Sequence, residues 1–170
     1  DLILFSCTAG SFLGGKGFDQ ELTRHLEQLT GVRVTTTSTC VLRALKALGL
    51  RRLNVVTPYS AQVNALERRF LEACGITVVH ITGALLERSQ DTPKLTAETM
   101  RRFALDADTP DADGMFISCT GLHVDGLIEP LEHALGKPVL TSNQCGLWGS
   151  LRALGIPDQL PGLGTLFQRG

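Results

Sequence analysis

The sequence is poor in aromatic residues and carries no excess of either charge. Aromatic side chains make up 5% of the 170 residues, and 16 Lys and Arg residues nearly balance 17 Asp and Glu residues. Nucleic-acid surfaces need clustered cations and stacking rings, so this composition argues against a nucleic-acid partner. The chain also has no apolar run of about 18 residues, which a membrane helix needs, and no charged start followed by an apolar core. We therefore expect a cytoplasmic protein without a membrane partner.

The cysteines do not have the spacing of a metal site or of a disulfide framework. They are Cys7, Cys40, Cys74, Cys119 and Cys145, with no CxxC pair and no grouping with the four histidines. Structural zinc sites and small disulfide-rich domains are built from such pairs. We expect no metal, and reduced thiols that mostly serve as small buried side chains.

Short apolar runs alternate with amphipathic segments along the chain. The apolar runs predict strands at residues 2–5, 32–38, 51–59, 76–83, 114–121 and 137–143. The helical spacing of apolar residues predicts helices at 18–31, 41–50, 61–75, 96–108, 127–136 and 145–155. This alternation predicts a doubly wound α/β fold built from parallel β-α units with right-handed crossovers.

Two of the predicted strands end in the same tripeptide. LILFSCTAG and GMFISCTGL both close an apolar strand with Ser-Cys-Thr and then small residues, at 6–8 and 118–120. Ligands bind at the carboxyl ends of parallel strands, so the repeat predicts two similar lobes that present Cys7 and Cys119 across one cleft. A thiolate is both a nucleophile and a proton acceptor.

Hydroxyl groups and backbone N–H groups beside these cysteines complete a candidate anion site. Thr8, Ser11 and Thr120, with the backbone around Gly10 and Gly121, can receive a carboxylate and the added charge of its enediolate. The predicted substrate is a small acid that reacts through a carbanion or an enolate. This chemistry requires neither a metal nor an organic cofactor.

Two other classes of protein fit parts of the same pattern. GSFLGGKG at 10–17 nearly matches the phosphate-binding P-loop, but Gly17 replaces the Ser or Thr that binds magnesium. A nucleotide hydrolase is therefore disfavoured. The other alternative is a non-catalytic flavodoxin-like binding module in which both cysteines are core residues. Thiol labelling at neutral pH distinguishes that module from an enzyme.

The most polar stretch of the chain runs from Leu86 to Leu95 and contains Pro93. We expect it to be a mobile cover over the strand-end site, with a plain solvated loop as the alternative. His123 follows the second tripeptide and is a further candidate for substrate contact.

The segments SCTAGS, TTTST, ALGLRRLNVVTPY, PDADGMFISCTGL and LGKPVLTSNQ resemble the aspartate/glutamate racemase superfamily, and within it the maleate cis-trans isomerases. Arylmalonate decarboxylases and ectoine-utilisation proteins look similar too. The resemblance implies two pseudo-symmetric, flavodoxin-like lobes with the active site between them. It assigns residues 1–51 and 143–170 to the first lobe and 52–142 to the second, and we expect an early strand of the first lobe to precede Asp1.

The resemblance also implies roles for individual residues. Cys7 is the implied nucleophile that adds to the double bond of maleate, Cys119 is the partner thiol on the opposite side, and Tyr59 donates a hydrogen bond to a substrate carboxylate. The full set of implied substrate-binding residues is Thr8, Ala9, Ser11, Tyr59, Thr120, Gly121 and Leu122.

The implied reaction is the cofactor-independent isomerisation of maleate, or of a related small dicarboxylate, to fumarate. Retention of both cysteines favours an isomerase or a racemase over a decarboxylase. An amino-acid racemase that uses two thiols is the first alternative, and an arylmalonate-type decarboxylase is the second. A homo-oligomer is left open.

Overall fold

Two parallel sheets form the centre of the computed structural model, which describes residues 1–124 and 126–169. The strands are β1 (Ile3–Phe5), β2 (Val34–Thr36), β3 (Arg52–Thr57), β4 (Thr77–Gly83), β5 (Gly114–Ile117) and β6 (Val139–Thr141). β1 pairs with β2, and the larger sheet has the order β4-β3-β5-β6. Every pairing among these strands is parallel, so the predicted α/β fold with parallel sheets is confirmed.

Helices separate the strands along the chain. They are α1 (Thr8–Phe12), α2 (Phe18–Thr30), α3 (Thr37–Leu48), α4 (Ala61–Ala73), α5 (Ala97–Asp106), α6 (Ile128–Leu135), α7 (Ser142–Ala153) and α8 (Gly164–Arg169), with a 3₁₀ helix at Ser89–Lys94. α1 and α8 were not predicted from the sequence, because such short segments show no helical period. Within the two described ranges, no helix is long and apolar enough to cross a membrane.

Two helices begin earlier than their apolar periodicity predicts. α3 and α7 start directly after Thr36 and Thr141, whose hydroxyls accept the backbone N–H groups of Thr39 and Gln144. The Gln144 side chain in turn accepts the backbone N–H of Thr141, which completes a capping box. These caps let each helix start at the very end of its strand.

The larger sheet is buried on both faces. Val55, Phe116 and Leu140 belong to one hydrophobic cluster, whereas their chain neighbours Val56 and Ile117 belong to the other. This division follows from the two-residue period of a strand. α4 packs in the first cluster, and α5 and α6 pack in the second, so helices cover both faces as a parallel sheet requires.

The strand order determines where loops gather. β3 lies between β4 and β5, so the chain leaves β3 toward one side of the sheet and leaves β5 toward the other. Such a reversal opens a crevice at the carboxyl ends of the two central strands. Tyr59 follows β3 and Cys119 follows β5, which places both residues at this crevice.

Candidate active site

Cys7 lies at the entrance to α1. Cys7 is the N-cap residue of that helix, and its sulfur accepts the backbone N–H of Gly10 at 3.3 Å. A Cβ atom at Gly10 would lie 2.9 Å from the same sulfur, which is closer than atoms pack without moving. The Cys7 side chain is exposed. Gly10 therefore provides both a donor to the thiol and the space for it.

Cys119 follows β5 with an unusual backbone. Its φ angle is +117°, a region that residues other than glycine rarely occupy and that is found mainly at functional sites. Its sulfur accepts the backbone N–H of Gly121 at 3.4 Å. Burial raises the pKa of the Cys119 thiol, while the Gly121 N–H and the Tyr59 hydroxyl act in the opposite direction. The net rise keeps this thiol protonated at neutral pH.

The two Ser-Cys-Thr segments contact each other. Ser142, the first residue of α7, accepts the Thr8 hydroxyl and the Cys119 backbone N–H, both at 2.9 Å. The Thr120 hydroxyl donates to the backbone oxygen of Ser6 at 3.3 Å. A charge on Cys7 is near enough to raise the pKa of Cys119. Cys7 is exposed and Cys119 is half-buried, so these are not the two core cysteines that the binding-module alternative requires.

Tyr59 is half-buried beside this pair. Its ring meets the Phe12 ring edge-on, with 6.3 Å between centroids. Burial raises the pKa of Tyr59 well above its ordinary value, and the negative charges of Glu67 and Cys119 add to the rise. The phenol therefore stays neutral and can donate a hydrogen bond. Tyr59 borders a cavity of about 260 Å³. The residues that line this cavity include Ala9, Pro58, Tyr59, Val63, Leu86 and Thr92.

The polar stretch from Leu86 to Leu95 is more ordered than a solvated loop. It contains the 3₁₀ helix, and Thr92 within that helix is buried. A Cβ atom at Gly121 would lie 3.3 Å from the Thr92 methyl group and 3.6 Å from the Cys119 sulfur. The stretch thus packs directly on the Cys119 loop. Its mobility stays a prediction.

The remaining predicted residues divide into two groups. Ala9, Thr120 and Gly121 are at least partly exposed beside the cysteines, and His123 is exposed in the following loop. Thr8, Ser11 and Leu122 are buried instead. The Thr8 hydroxyl donates to Ser142, the Ser11 hydroxyl donates to the backbone oxygen of Thr8 at 2.9 Å and contacts Ser38, and Leu122 packs in the second hydrophobic cluster. The structure therefore does not bring the side chains of Thr8, Ser11 and Leu122 to the open edge of the site.

Two polar residues near the cysteines were missed in the sequence analysis. Ser142 connects both segments, and the signal for it is the TSNQ capping box that follows a predicted strand. Glu67 on α4 is fully buried, and its carboxyl group accepts the Ser118 hydroxyl at 2.5 Å. Burial raises the pKa of Glu67 to about 8, against the opposing effect of the Ser118 hydrogen bond. The signal for Glu67 is an acid on the apolar face of a predicted helix.

The other cysteines are not part of this arrangement. Cys40 and Cys145 lie fully buried in the first hydrophobic cluster, and burial raises the pKa of both thiols. Cys74 is partly buried at the other end of the sheet, beside a cavity of about 350 Å³ that contains no predicted site residue. Across residues 1–124 and 126–169, no group of three or more His, Cys, Asp or Glu residues could hold a metal ion.

Comparison with known proteins identifies the family. The sequence model for arylmalonate decarboxylase matches residues 1–167. The arylmalonate decarboxylase of Bordetella bronchiseptica is 37% identical over 166 residues, which span 94% of this chain and 68% of the relative. The maleate isomerase of Nocardia farcinica is 27% identical over 175 residues, which span 99% of this chain and 70% of the relative.

The fold is shared with solved structures of these enzymes. A cysteine-to-serine mutant of the Nocardia farcinica maleate cis-trans isomerase, which carries a covalently bound succinylcysteine intermediate, superposes with a TM-score of 0.94 at 24% identity. The superposition covers 99% of this chain and 71% of that one. The resemblance to the aspartate/glutamate racemase superfamily is confirmed, and the chain belongs to the arylmalonate decarboxylase family of enzymes.

Proposed function

We propose that the protein catalyses the cofactor-independent cis-trans isomerisation of maleate, or of a related small dicarboxylate, through a covalent adduct on Cys7. The observation that carries this proposal is the pairing of two unlike thiols through Ser142. Cys7 is exposed and open to attack a substrate. Cys119 is half-buried, and its raised pKa keeps a proton available at neutral pH. One thiol thus suits a nucleophile and the other suits an acid.

The reaction needs no external oxidant or reductant. The Cys7 thiolate adds to one alkene carbon, and the π electron pair moves to the adjacent carbon and its carboxylate as an enediolate. The Cys119 thiol then protonates that carbon, which gives a succinyl thioether whose central bond can rotate. The Cys119 thiolate takes the proton back, the C–S bond to Cys7 breaks, and fumarate leaves.

The surrounding groups suit the charges that develop. The neutral Tyr59 phenol can donate a hydrogen bond to one carboxylate. The backbone N–H of Ala9, which is partly exposed beside Cys7, can donate to the other carboxylate. Thr120, which is partly exposed and whose hydroxyl donates to the backbone oxygen of Ser6, lies beside Cys119. In this proposal the site lies between the two lobes predicted from the sequence, residues 1–51 with 143–170 and residues 52–142.

The covalent step is supported by a relative. The solved mutant of the Nocardia farcinica isomerase holds a succinylcysteine, which is the type of adduct that this mechanism forms. The Nocardia farcinica isomerase sequence is 27% identical to this chain.

Decarboxylation of an arylmalonate is the second candidate. It is favoured by the 37% identity to the Bordetella bronchiseptica enzyme and by the cavity beside Tyr59, where Ala9, Pro58 and Val63 offer apolar surface to an aryl group. In that reaction Cys119 protonates the enediolate that remains after loss of CO₂. Cys7 is then not needed as a nucleophile.

One experiment separates these reactions. The purified full-length protein is incubated with maleate, phenylmalonate, and each enantiomer of aspartate and glutamate in D₂O, and products are followed by ¹H NMR. We expect fumarate from maleate, and none from the Cys7→Ala variant. Phenylacetate without fumarate would assign decarboxylation, and exchange at the α-carbon of an amino acid would assign racemisation.

A further inference from the structure

Glu67 is a buried acid directly behind Cys119. It is 1% exposed, and its Oε1 atom accepts the hydroxyl of Ser118, the residue that precedes Cys119. Its Oε2 atom is buried and has no hydrogen-bond partner among the described residues. Burying an acid is costly unless its polar atoms are satisfied, so its presence here calls for a role.

Cys119 has a backbone conformation that its surroundings must hold in place. A positive φ at a residue other than glycine persists where neighbouring contacts over-determine it. The Ser118 N–H donates to the Val56 oxygen at 2.8 Å, and the Cys119 N–H donates to Ser142 Oγ at 2.9 Å. The Ser118 hydroxyl is anchored on Glu67 at 2.5 Å. Glu67 thus supplies a side-chain anchor to this turn.

Glu67 also borders the segment that carries the other cysteine. A cavity of about 10 Å³ is lined by Glu67, Thr8 and Ser38 together with apolar residues, which is room for about one water molecule. Thr8 directly follows Cys7. The carboxyl group therefore touches the surroundings of both thiols from the buried side.

We propose that Glu67 is a positioning residue, whose carboxyl group holds Ser118 and, through it, the strained backbone of Cys119 against the segment that carries Cys7. The inference rests on the proposed function to the extent that it treats Cys119 as the reacting thiol. Glu67 itself does not touch the substrate.

The charge state of Glu67 matters for Cys119. The residues that face it across the cavity from α1, α3 and β5 carry no charge: they are Thr8, Phe12, Ser38, Val41 and Phe116. The titratable groups coupled to it are Tyr59 and Cys119, and a negative Glu67 raises the pKa of both. Because burial raises the pKa of Glu67 to about 8, the acid is neutral at pH 7 and does not oppose loss of the Cys119 proton.

The test measures how fast iodoacetamide alkylates Cys119, from pH 6 up to the pH at which the rate no longer rises, with the site quantified by peptide mass spectrometry. The plateau of the rate–pH curve is the alkylation rate of the fully ionised thiol, which rises when the turn around Cys119 becomes more mobile. The midpoint of the curve is the pKa of Cys119, which depends on nearby charges. Glu67→Gln keeps the Ser118 bond but cannot ionise, so the midpoint should fall by about one pH unit with an unchanged plateau. Glu67→Leu and Ser118→Ala lose the bond, so both plateaus should rise at least about threefold.

Glu72→Gln on the exposed side of the same helix is the matched control, and its profile should equal that of the parent protein. Ser118→Ala carries the plateau test if Glu67→Leu does not fold. Unchanged plateaus in the variants that lose the bond, an unmoved midpoint in Glu67→Gln, or equal effects from Glu72→Gln would each overturn the proposal. Since no substrate is used, these outcomes do not depend on which reaction the protein catalyses.

Discussion

Thr8 and Ser142 are joined by a 2.9 Å hydrogen bond between their side-chain oxygens, and this bond links the surroundings of the two cysteines. The same Ser142 oxygen receives the backbone N–H of Cys119. Thr8 follows Cys7 in the chain, so one hydroxyl group contacts both Ser-Cys-Thr segments. The separation of the thiols therefore depends on a residue that carries out no chemistry itself.

Ser142→Ala should impair the reaction more than the stability. The change leaves the half-buried Cys119 N–H and the buried Thr8 hydroxyl without this acceptor, which costs about 1–3 kcal/mol of unfolding free energy. It also releases the alignment of the two thiols that the proposed mechanism uses, and we expect kcat/KM to fall by about 10- to 100-fold. The control is Ser150→Ala on the same helix, because the Ser150 hydroxyl is buried and has no partner among the described residues. Equal loss of activity in both variants would contradict the bridging role.

Gly121→Ala should loosen the cover over the site. The new methyl group would lie 3.3 Å from the Thr92 methyl group, so the 3₁₀ helix must shift by a few tenths of an ångström to make room. We expect faster amide hydrogen exchange at Ser89–Lys94, measured by mass spectrometry. Adding Thr92→Ser removes the opposing methyl group and should restore the slower exchange. If exchange stays fast after Thr92→Ser is added, the methyl group at residue 121 does not displace the 3₁₀ helix through Thr92.

Tyr59→Phe should lower kcat/KM without adding a new ionisation. The phenol stays protonated across the accessible pH range because burial raises its pKa, so its contribution is a hydrogen bond. Loss of one bond to a charged group predicts a fall of about 10- to 100-fold at every pH. A change in the shape of the pH–rate profile, rather than in its height, would instead indicate that Tyr59 titrates during the reaction.

Glu67 should make the protein less stable as the pH rises. Its pKa is raised from 4.5 to about 8 by burial, so its contribution to stability is complete below pH 4.5 and is lost as the pH rises through 8. Urea unfolding of the parent protein and of Glu67→Gln should therefore diverge between pH 5 and pH 9, with the variant gaining relative stability. A constant difference across that range would mean that Glu67 is already charged in the folded protein.

The sequence was sufficient to predict all six described strands and their parallel arrangement. Each strand is a short apolar run bounded by turn residues, and that signal is local. The position of Cys119 at a strand end also followed from its tripeptide. The positive φ of Cys119 could not be predicted, because a cysteine side chain does not favour positive φ. The conformation is imposed by backbone contacts of Ser118 with Val56 and of Cys119 with Ser142.

The buried polar contacts could not be predicted from the sequence either, because they too depend on contacts between segments that are distant along the chain. The helical spacing places Glu67 on the apolar face of α4, but its contact with Ser118 depends on how α4 packs on the sheet, which no local pattern reveals. The burial of Ser11 against Ser38 likewise depends on two helices that are distant in sequence. The helix starts at Thr37 and Ser142 were also not predicted, since the apolar periodicity placed them at residues 41 and 145, although the capping residues that fix them are visible in the sequence.

Intact-mass spectrometry with maleate tests the central proposal most directly. In Cys119→Ala the enediolate on Cys7 must take its proton from water, and the thiolate that would remove this proton again and release fumarate is absent. Turnover should therefore slow, and one maleate equivalent should remain bound at Cys7. Cys7→Ala should show neither adduct nor fumarate, while the fold stays intact by circular dichroism. No adduct in Cys119→Ala, or fumarate formation that survives Cys7→Ala, would contradict the covalent mechanism.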